Sequence, residues 1–443
     1  MYDPIVEQYP EARQGYPDSY WAADIQAAKN PALEQEIHSE VVIIGAGYTG
    51  LSAAYHLAKD YNIQATVIEA NDVGWGCSGR NAGFVLPGSG RLSLMQMGKK
   101  WGFDTSQGVF REFREAVATV EQLIDLGSID CDVTRGGYLK VAHNRALADE
   151  MEQQVAVQQK TFLDNVEYCS AAQISDKFMC SPQAAGAMYY ADYFSLNPLK
   201  LVQGYARLAL ENGVSIYCNS PVLDWRQEQK KQRLLTSQGS IVCDKVIIAT
   251  NGYTGKSLHP LIQNRHFPVL SSIIVTCPLS AKEREDIGFK NGLMVMDTRA
   301  LKYYYRLLPD GRLLFGGRGA IRGKDADQQV YSQTLLKALN ATFPALQDVT
   351  IAYFWSGWVS VSFDDYPRIW GNEENNVLYA MGYCGSGLSF AAQAGKRLAQ
   401  KLASDKALPA LPFVQSSLPK FPMASMRRVG LSLYYKWAEL KNR

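Results

Sequence analysis

Val41-Val42-Ile43-Ile44-Gly45-Ala46-Gly47-Tyr48-Thr49-Gly50 decides the fold of this chain. Four apolar residues, all β-branched, read as a strand buried on both faces, as in a parallel sheet. Three glycines follow at once. Gly45 permits a tight turn, Gly47 lets the backbone approach a pyrophosphate, and Gly50 lets the next helix pack closely on the strand. That helix repeats its apolar residues at Leu51, Ala54, Tyr55 and Leu57. Its first turn, from Tyr48 and Thr49, offers free N–H groups and a partial positive charge to phosphate. Ala65-Thr66-Val67-Ile68 is the second strand, and Glu69-Ala70 ends it. A carboxylate there can accept from a ribose hydroxyl, so the whole predicts a dinucleotide-binding βαβ unit. Nothing in it chooses between dinucleotides.

Three stretches further out narrow the choice. Gly74-Trp75-Gly76-Cys77-Ser78-Gly79-Arg80-Asn81-Ala82-Gly83 follows the second strand as a glycine-rich loop. Lys245-Val246-Ile247-Ile248-Ala249-Thr250-Asn251-Gly252-Tyr253 is an apolar strand ending in small residues, which permits close approach of a ligand. Gly382-Tyr383-Cys384-Gly385-Ser386-Gly387-Leu388 opens a helix through Gln393 and Arg397. N–H groups at such a helix start stabilise negative charge in front of them.

With these blocks, and with Tyr304-Tyr305-Arg306-Leu307 and Trp355-Ser356-Gly357, the chain resembles the D-amino-acid oxidase family of flavoenzymes, which includes glycine and sarcosine oxidases. The likeness runs from about Ser19 to the C-terminus. It implies an FAD-dependent oxidoreductase that takes hydride from the carbon beside nitrogen, with gamma-glutamylputrescine or a related amine as donor. In that family the loop containing Gly76, Cys77, Ser78, Gly79, Arg80 and Asn81 runs along the pyrophosphate and the flavin edge. Val222 matches a backbone contact to adenine. Ala249, Thr250 and Asn251 end the strand that returns to the nucleotide. The turn at Gly382, with Gly385, Ser386, Gly387 and Leu388, lies under the flavin. Sarcosine oxidases attach flavin through a Cys in the segment matching 355–363. None occurs here, so noncovalent FAD is expected. They also carry a Lys, linked to oxygen, on the strand matching Leu313-Leu314-Phe315, where this chain has none. Oxygen and an electron carrier both stand as acceptors, the second as a dehydrogenase of an amino acid or a 2-hydroxy acid.

The expected fold is α/β (α+β overall), a Rossmann-like FAD-binding domain interrupted by a mainly antiparallel substrate domain. Residues 1–37 read as an extension anchored by Tyr20 and Trp21. Segments 38–92, 195–261 and 366–405 form the FAD-binding domain. Segments 93–194 and 262–365 form the substrate domain, and 406–443 is a tail. Substrate residues are sought on the inserted sheet. Tyr303 and Tyr305 share one strand face, and Arg306 points to the other. Tyr305 and Arg318 join Gly385, Ser386 and Gly387 as catalytic candidates, and Tyr303, Tyr305, Arg306 and Trp358 as contacts for the donor. Arg306 or Arg318 offers the planar fork that clamps a carboxylate. Trp355 and Trp358 wall the flavin or fill the core.

Composition limits the alternatives. Lys+Arg 45 against Asp+Glu 43 leaves a formal charge of +2, without the basic footprint of a nucleic-acid binder. Five His and 8 scattered Cys give neither a metal-binding spacing nor a disulfide framework, which fits a reducing cytoplasm. An NAD-dependent dehydrogenase, an FAD enzyme acting on a 2-hydroxy acid or a modified tRNA base, and a noncatalytic flavin protein are the rival functions. In the tail, Arg427 and Arg428 precede Val429, Leu431, Leu433, Tyr434 and Trp437. This is either a helix packed on its own domain or an amphipathic helix making peripheral membrane contact.

Overall fold

A computed structural model describes residues 1–25, 28–372 and 376–441. The strand Glu36–Ile44 lies at the centre of an eight-stranded sheet, parallel to Ala65–Ile68 on one side and to Ser240–Ile248 on the other. Ser215–Tyr217 extends the sheet beyond Ala65–Ile68. The strand Ser240–Ile248 divides its outer edge. Its first half pairs antiparallel with Lys231–Leu235, and its second half pairs parallel with Val377–Met381. The hairpin Asp224–Glu228 and Lys231–Leu235 is largely polar on its outer strand, so no hydrophobic alternation announced it.

Register positions everything that follows. Ile44 pairs with both Ile68 and Ile248, and Ile248 pairs with Tyr379. Gly45, Glu69, Ala249 and, two residues later, Gly382 therefore leave the sheet at one end. Ligands bind beyond the carboxyl ends of parallel strands.

The second sheet also has eight strands. Their order is Ile351–Val361, Phe267–Thr276, Leu313–Arg318, Tyr304–Leu307, Met294–Asp297, Tyr138–Ala142, Gly186–Tyr190 and Val166–Ser170. Every pair is antiparallel except Met294–Asp297 with Tyr138–Ala142. The sheet is thus mixed, because its two halves come from separate parts of the chain and meet side by side. One face is covered by the helix Gln329–Thr342, with Leu335, Leu339, Tyr305, Phe315 and Phe343 in a single apolar cluster. The other face looks toward the first sheet.

One helix ties two others together on a face of the first sheet. Leu388–Leu402 packs against the fingerprint helix Tyr48–Tyr61 and against Phe103–Leu126. Its Arg397 is 6% exposed and donates to both oxygens of Glu112, from Nε at 2.7 Å and from Nη2 at 2.8 Å. Gln393 donates to Glu112 at 2.8 Å and accepts from Thr119 at 2.6 Å.

Both chain ends fold back onto the body. Trp21 is buried and donates from Nε1 to Asn81 O at 2.9 Å, so it anchors the loop as well as the extension. The tail forms the helix Arg427–Lys441. Arg428 pairs with Asp3, Arg427 donates to His266 O, and Ala438 is fully buried. Val429, Leu433, Trp437 and Leu440 are at least half exposed on its outer side. No helix among the described residues is long and apolar enough to cross a membrane.

Candidate active site

One cavity runs from the carboxyl end of the first sheet to the inner face of the second. Its floor is the fingerprint turn. Gly45 has φ +109°, a left-handed conformation that glycine adopts without penalty, and a Cβ there would press on Ala249 O at 3.1 Å. At Gly50 a Cβ would overlap Gly45 O, so this glycine closes the helix onto the turn. Glu69 lines the cavity and accepts from Ala46 N at 2.8 Å and from Asn71 N at 3.1 Å. Burial raises its carboxyl above the usual range, and these backbone donors oppose that. Beside it, Ala70 and Val222 also line the cavity.

The turns touch one another directly. The loop reaches the fingerprint helix where Tyr48 N donates to Ser78 Oγ at 3.1 Å. Asn251 Oδ1 accepts from Gly382 N at 3.2 Å, joining the returning strand to the last turn. Thr49 Oγ1 and the Tyr383 hydroxyl lie 2.8 Å apart, joining the first turn to the last. Asn81 stiffens the loop by donating to Cys77 O and Ser78 O and accepting from Gly83 N. Arg80 is buried, donates to Trp75 O at 2.7 Å and to Ser356 O at 3.2 Å, and lies over the Trp75 ring. It fastens the loop to the second sheet. Gly79 is packed rather than lining, since a Cβ would overlap Gly74 O.

The last turn faces open space. Gly385 has φ +93° and nothing within 4 Å of an added Cβ. Gly385, Ser386, Gly387 and Leu388 line the cavity, and the helix starts at Leu388 with Gly387 as its cap. Two helix N-termini, at Tyr48 and at Leu388, thus open on one cavity. A carboxylate sits at the end of the adjacent strand, and small residues clear the floor. That cradle fits an extended dinucleotide.

The second sheet closes the far end, and here the structure corrects the sequence reading. Tyr304, between the two tyrosines selected, lines the cavity. Its hydroxyl is 2.8 Å from Ser271 Oγ, and burial pushes it up to about 12. Tyr305 faces the opposite way, stacked 5.3 Å from Phe315 in the covered core, and Tyr303 packs on the same ring. Alternation gave the pairing of faces correctly but not which face meets the cavity. Gly316 carried the missing signal. It pairs with Tyr304, and a Cβ there would overlap the Tyr304 ring.

Arg306 shares the face of Tyr304 but lies outside the cavity wall. It is buried, donates to Leu196 O at 2.8 Å and lies over the Trp21 ring, and burial lowers its pKa to about 9. Trp358 is fully buried and donates to Tyr2 O at 2.7 Å, and Trp355 donates to Arg80 O at 2.8 Å. Both tryptophans are core. Arg318 does line the cavity. Arg91 and Lys302 line it too, and sequence reasoning passed over both because they sit in segments with no periodic pattern.

The family model described as FAD dependent oxidoreductase (DAO) matches residues 40–401. The chain belongs to this family, and it is an FAD-dependent oxidoreductase of the group that acts on amines or amino acids. It is 30% identical over 423 residues to gamma-glutamylputrescine oxidoreductase of Escherichia coli (strain K12), covering 94% of this chain and 97% of that one. Glycine oxidase from Geobacillus kaustophilus has the same fold, with a TM-score of 0.69 at 19% identity over 87% of this chain and 99% of that one. L-proline dehydrogenase from P. horikoshii also has a TM-score of 0.69 at 19% identity, over 86% and 96%.

Proposed function

We propose that this chain takes hydride from the carbon next to nitrogen in a carboxylate-bearing amine or amino acid, with FAD held noncovalently. One observation carries the reading. The turn at Gly385 and the cationic, aromatic wall of Tyr304 and Arg318 border the same cavity. FAD, when bound, supplies the hydride acceptor. The chain supplies position and field. Segments 38–92, 195–261 and 366–405 hold the cofactor, and 93–194 and 262–365 hold the donor. The N–H groups before Leu388 favour negative charge at the Gly385 end. Arg318 offers a carboxylate two parallel donors. Glu69 is the only carboxylate among the described lining residues, and it sits at the opposite end. With no carboxylate at this end of the cavity to stabilise an ammonium, the neutral amine is favoured. The donor amine is therefore held neutral, with its lone pair free to assist hydride departure.

Gamma-glutamylputrescine or a related amine is the donor implied by resemblance, and the name of the E. coli relative supports it. Mixing the holoprotein with candidate donors without oxygen tests the reading. Amines are expected to bleach the flavin, and 2-hydroxy acids to leave it yellow. Bleaching by hydroxy acids alone, or by no donor, rejects it. Repeating the run with oxygen separates an oxidase from a dehydrogenase that uses a carrier. The strand Leu313–Arg318 carries no Lys, which favours the carrier.

Eight free cysteines support a cytoplasmic place of action. The exposed row Val429, Leu433 and Leu440, with Lys436 beside it, supports peripheral contact of the tail with a lipid surface. Full-length protein is expected to float with anionic vesicles, and a chain ending at 420 to stay behind. Equal flotation of the two ends that assignment.

A further inference from the structure

Three cations border the donor end of the cavity: Arg91, Lys302 and Arg318. Arg318 and Lys302 form no ion pair among the described residues. Arg91 has only a distant partner, Asp365 at 3.9 Å, and donates to the Tyr434 hydroxyl at 3.5 Å. Tyr434 in turn donates to Ala300 O at 3.4 Å, so the C-terminal helix closes over this edge. Lys302 is exposed, and the surface it exposes borders the cavity. Uncompensated charges gathered in a cleft raise the local concentration of an opposite charge.

We propose that Arg91, Lys302 and Arg318 form an anion-receiving subsite for the end of the donor remote from the reacting carbon, and that Lys302 is its specificity-determining residue. The proposal rests on the amine-oxidising reading only for the identity of the donor. The subsite itself binds carboxylates whether or not an amine is oxidised. Lys302 is the adjustable member. Desolvation by the surrounding cavity walls first, then Lys140, Arg91 and Arg318, lower its pKa to about 8, against an opposing pull from Asp297. Asp297 is already engaged by Arg299 at 2.5 Å, and burial lowers the Lys140 pKa as well. A carboxylate arriving beside Lys302 favours its charged form. Binding is therefore strongest below the free pKa and weakens as pH rises through it.

Glutarate and its uncharged counterpart glutaramide, neither of which carries an oxidisable amine, test this on the holoprotein through perturbation of flavin absorbance. Glutarate is expected to bind at least about tenfold more tightly than glutaramide, and K302M to lose at least about tenfold of that affinity. K302R is expected to retain it. Between about pH 7 and about pH 9.5 the wild type weakens for glutarate while K302R stays flat, because guanidinium remains charged. Equal binding of the two probes overturns the subsite. Unchanged glutarate affinity in K302M, with its melting midpoint intact, overturns the role of Lys302. Expected glutarate binding with no amine bleaching the flavin would sink the proposed reaction and leave the subsite standing. The reverse result would do the opposite.

Discussion

Gly47→Val is expected to yield a folded protein that has lost FAD. A Cβ at this position would stand 2.8 Å from Ser78 Oγ, in the seam where the loop meets the fingerprint helix. Relief requires Ser78 to withdraw, and with it the contact that holds the loop against the helix N-terminus. The branched side chain also bars the close backbone approach that a pyrophosphate needs. Affinity for FAD, read by fluorescence quenching on titrating the apoprotein, should fall by about two powers of ten, or about 2.7 kcal/mol. Gly430→Ala is the control, since Gly430 is exposed and has nothing within 4 Å of an added Cβ. An unchanged affinity in Gly47→Val would remove the floor of the site from the account.

Glu112→Ala acts on stability instead. It leaves the buried Arg397 with Glu115 at 3.2 Å as its one carboxylate among the described residues, beside Gln400 Oε1 at 2.7 Å, and strips Gln393 of its acceptor. Removing one partner of a buried pair costs about 3–5 kcal/mol, and the residual Glu115 contact places this case near the lower figure. The melting midpoint of the holoprotein should fall by several degrees. FAD should dissociate more readily, because the helix carrying Gln393 and Arg397 is the one that begins at the turn of Gly385, Ser386 and Gly387 bordering the cavity. Glu115→Ala, with its side chain 44% exposed, should cost less than about 1 kcal/mol. Equal costs for the two variants would show that the buried network does not hold this helix.

The cofactor half was legible because its chemistry is written in local sequence. A buried strand, a turn that only glycine can make, and an acid at the next strand end leave few alternatives. The donor half was not, because it depends on which face of a strand meets another domain. Tyr303, Tyr304 and Tyr305 are chemically equivalent in the sequence, and only the placement of Gln329–Thr342 over one face decides among them. Lys302 lies just before a strand, and Arg91 in a loop, where periodicity carries no information. Trp358 illustrates the converse. A large aromatic near a cofactor segment was selected as a contact, yet Tyr2 from the N-terminal extension reaches across to bury it. Contacts across such sequence separations leave no local trace.

A crystal structure of the FAD-loaded protein tests the central assertion most directly. Continuous density for one dinucleotide is expected to pass Gly47, Ser78 and Asn251 and to end at Gly385, beneath Tyr304. Flavin bound elsewhere, or those residues separated with no ligand between them, would contradict it.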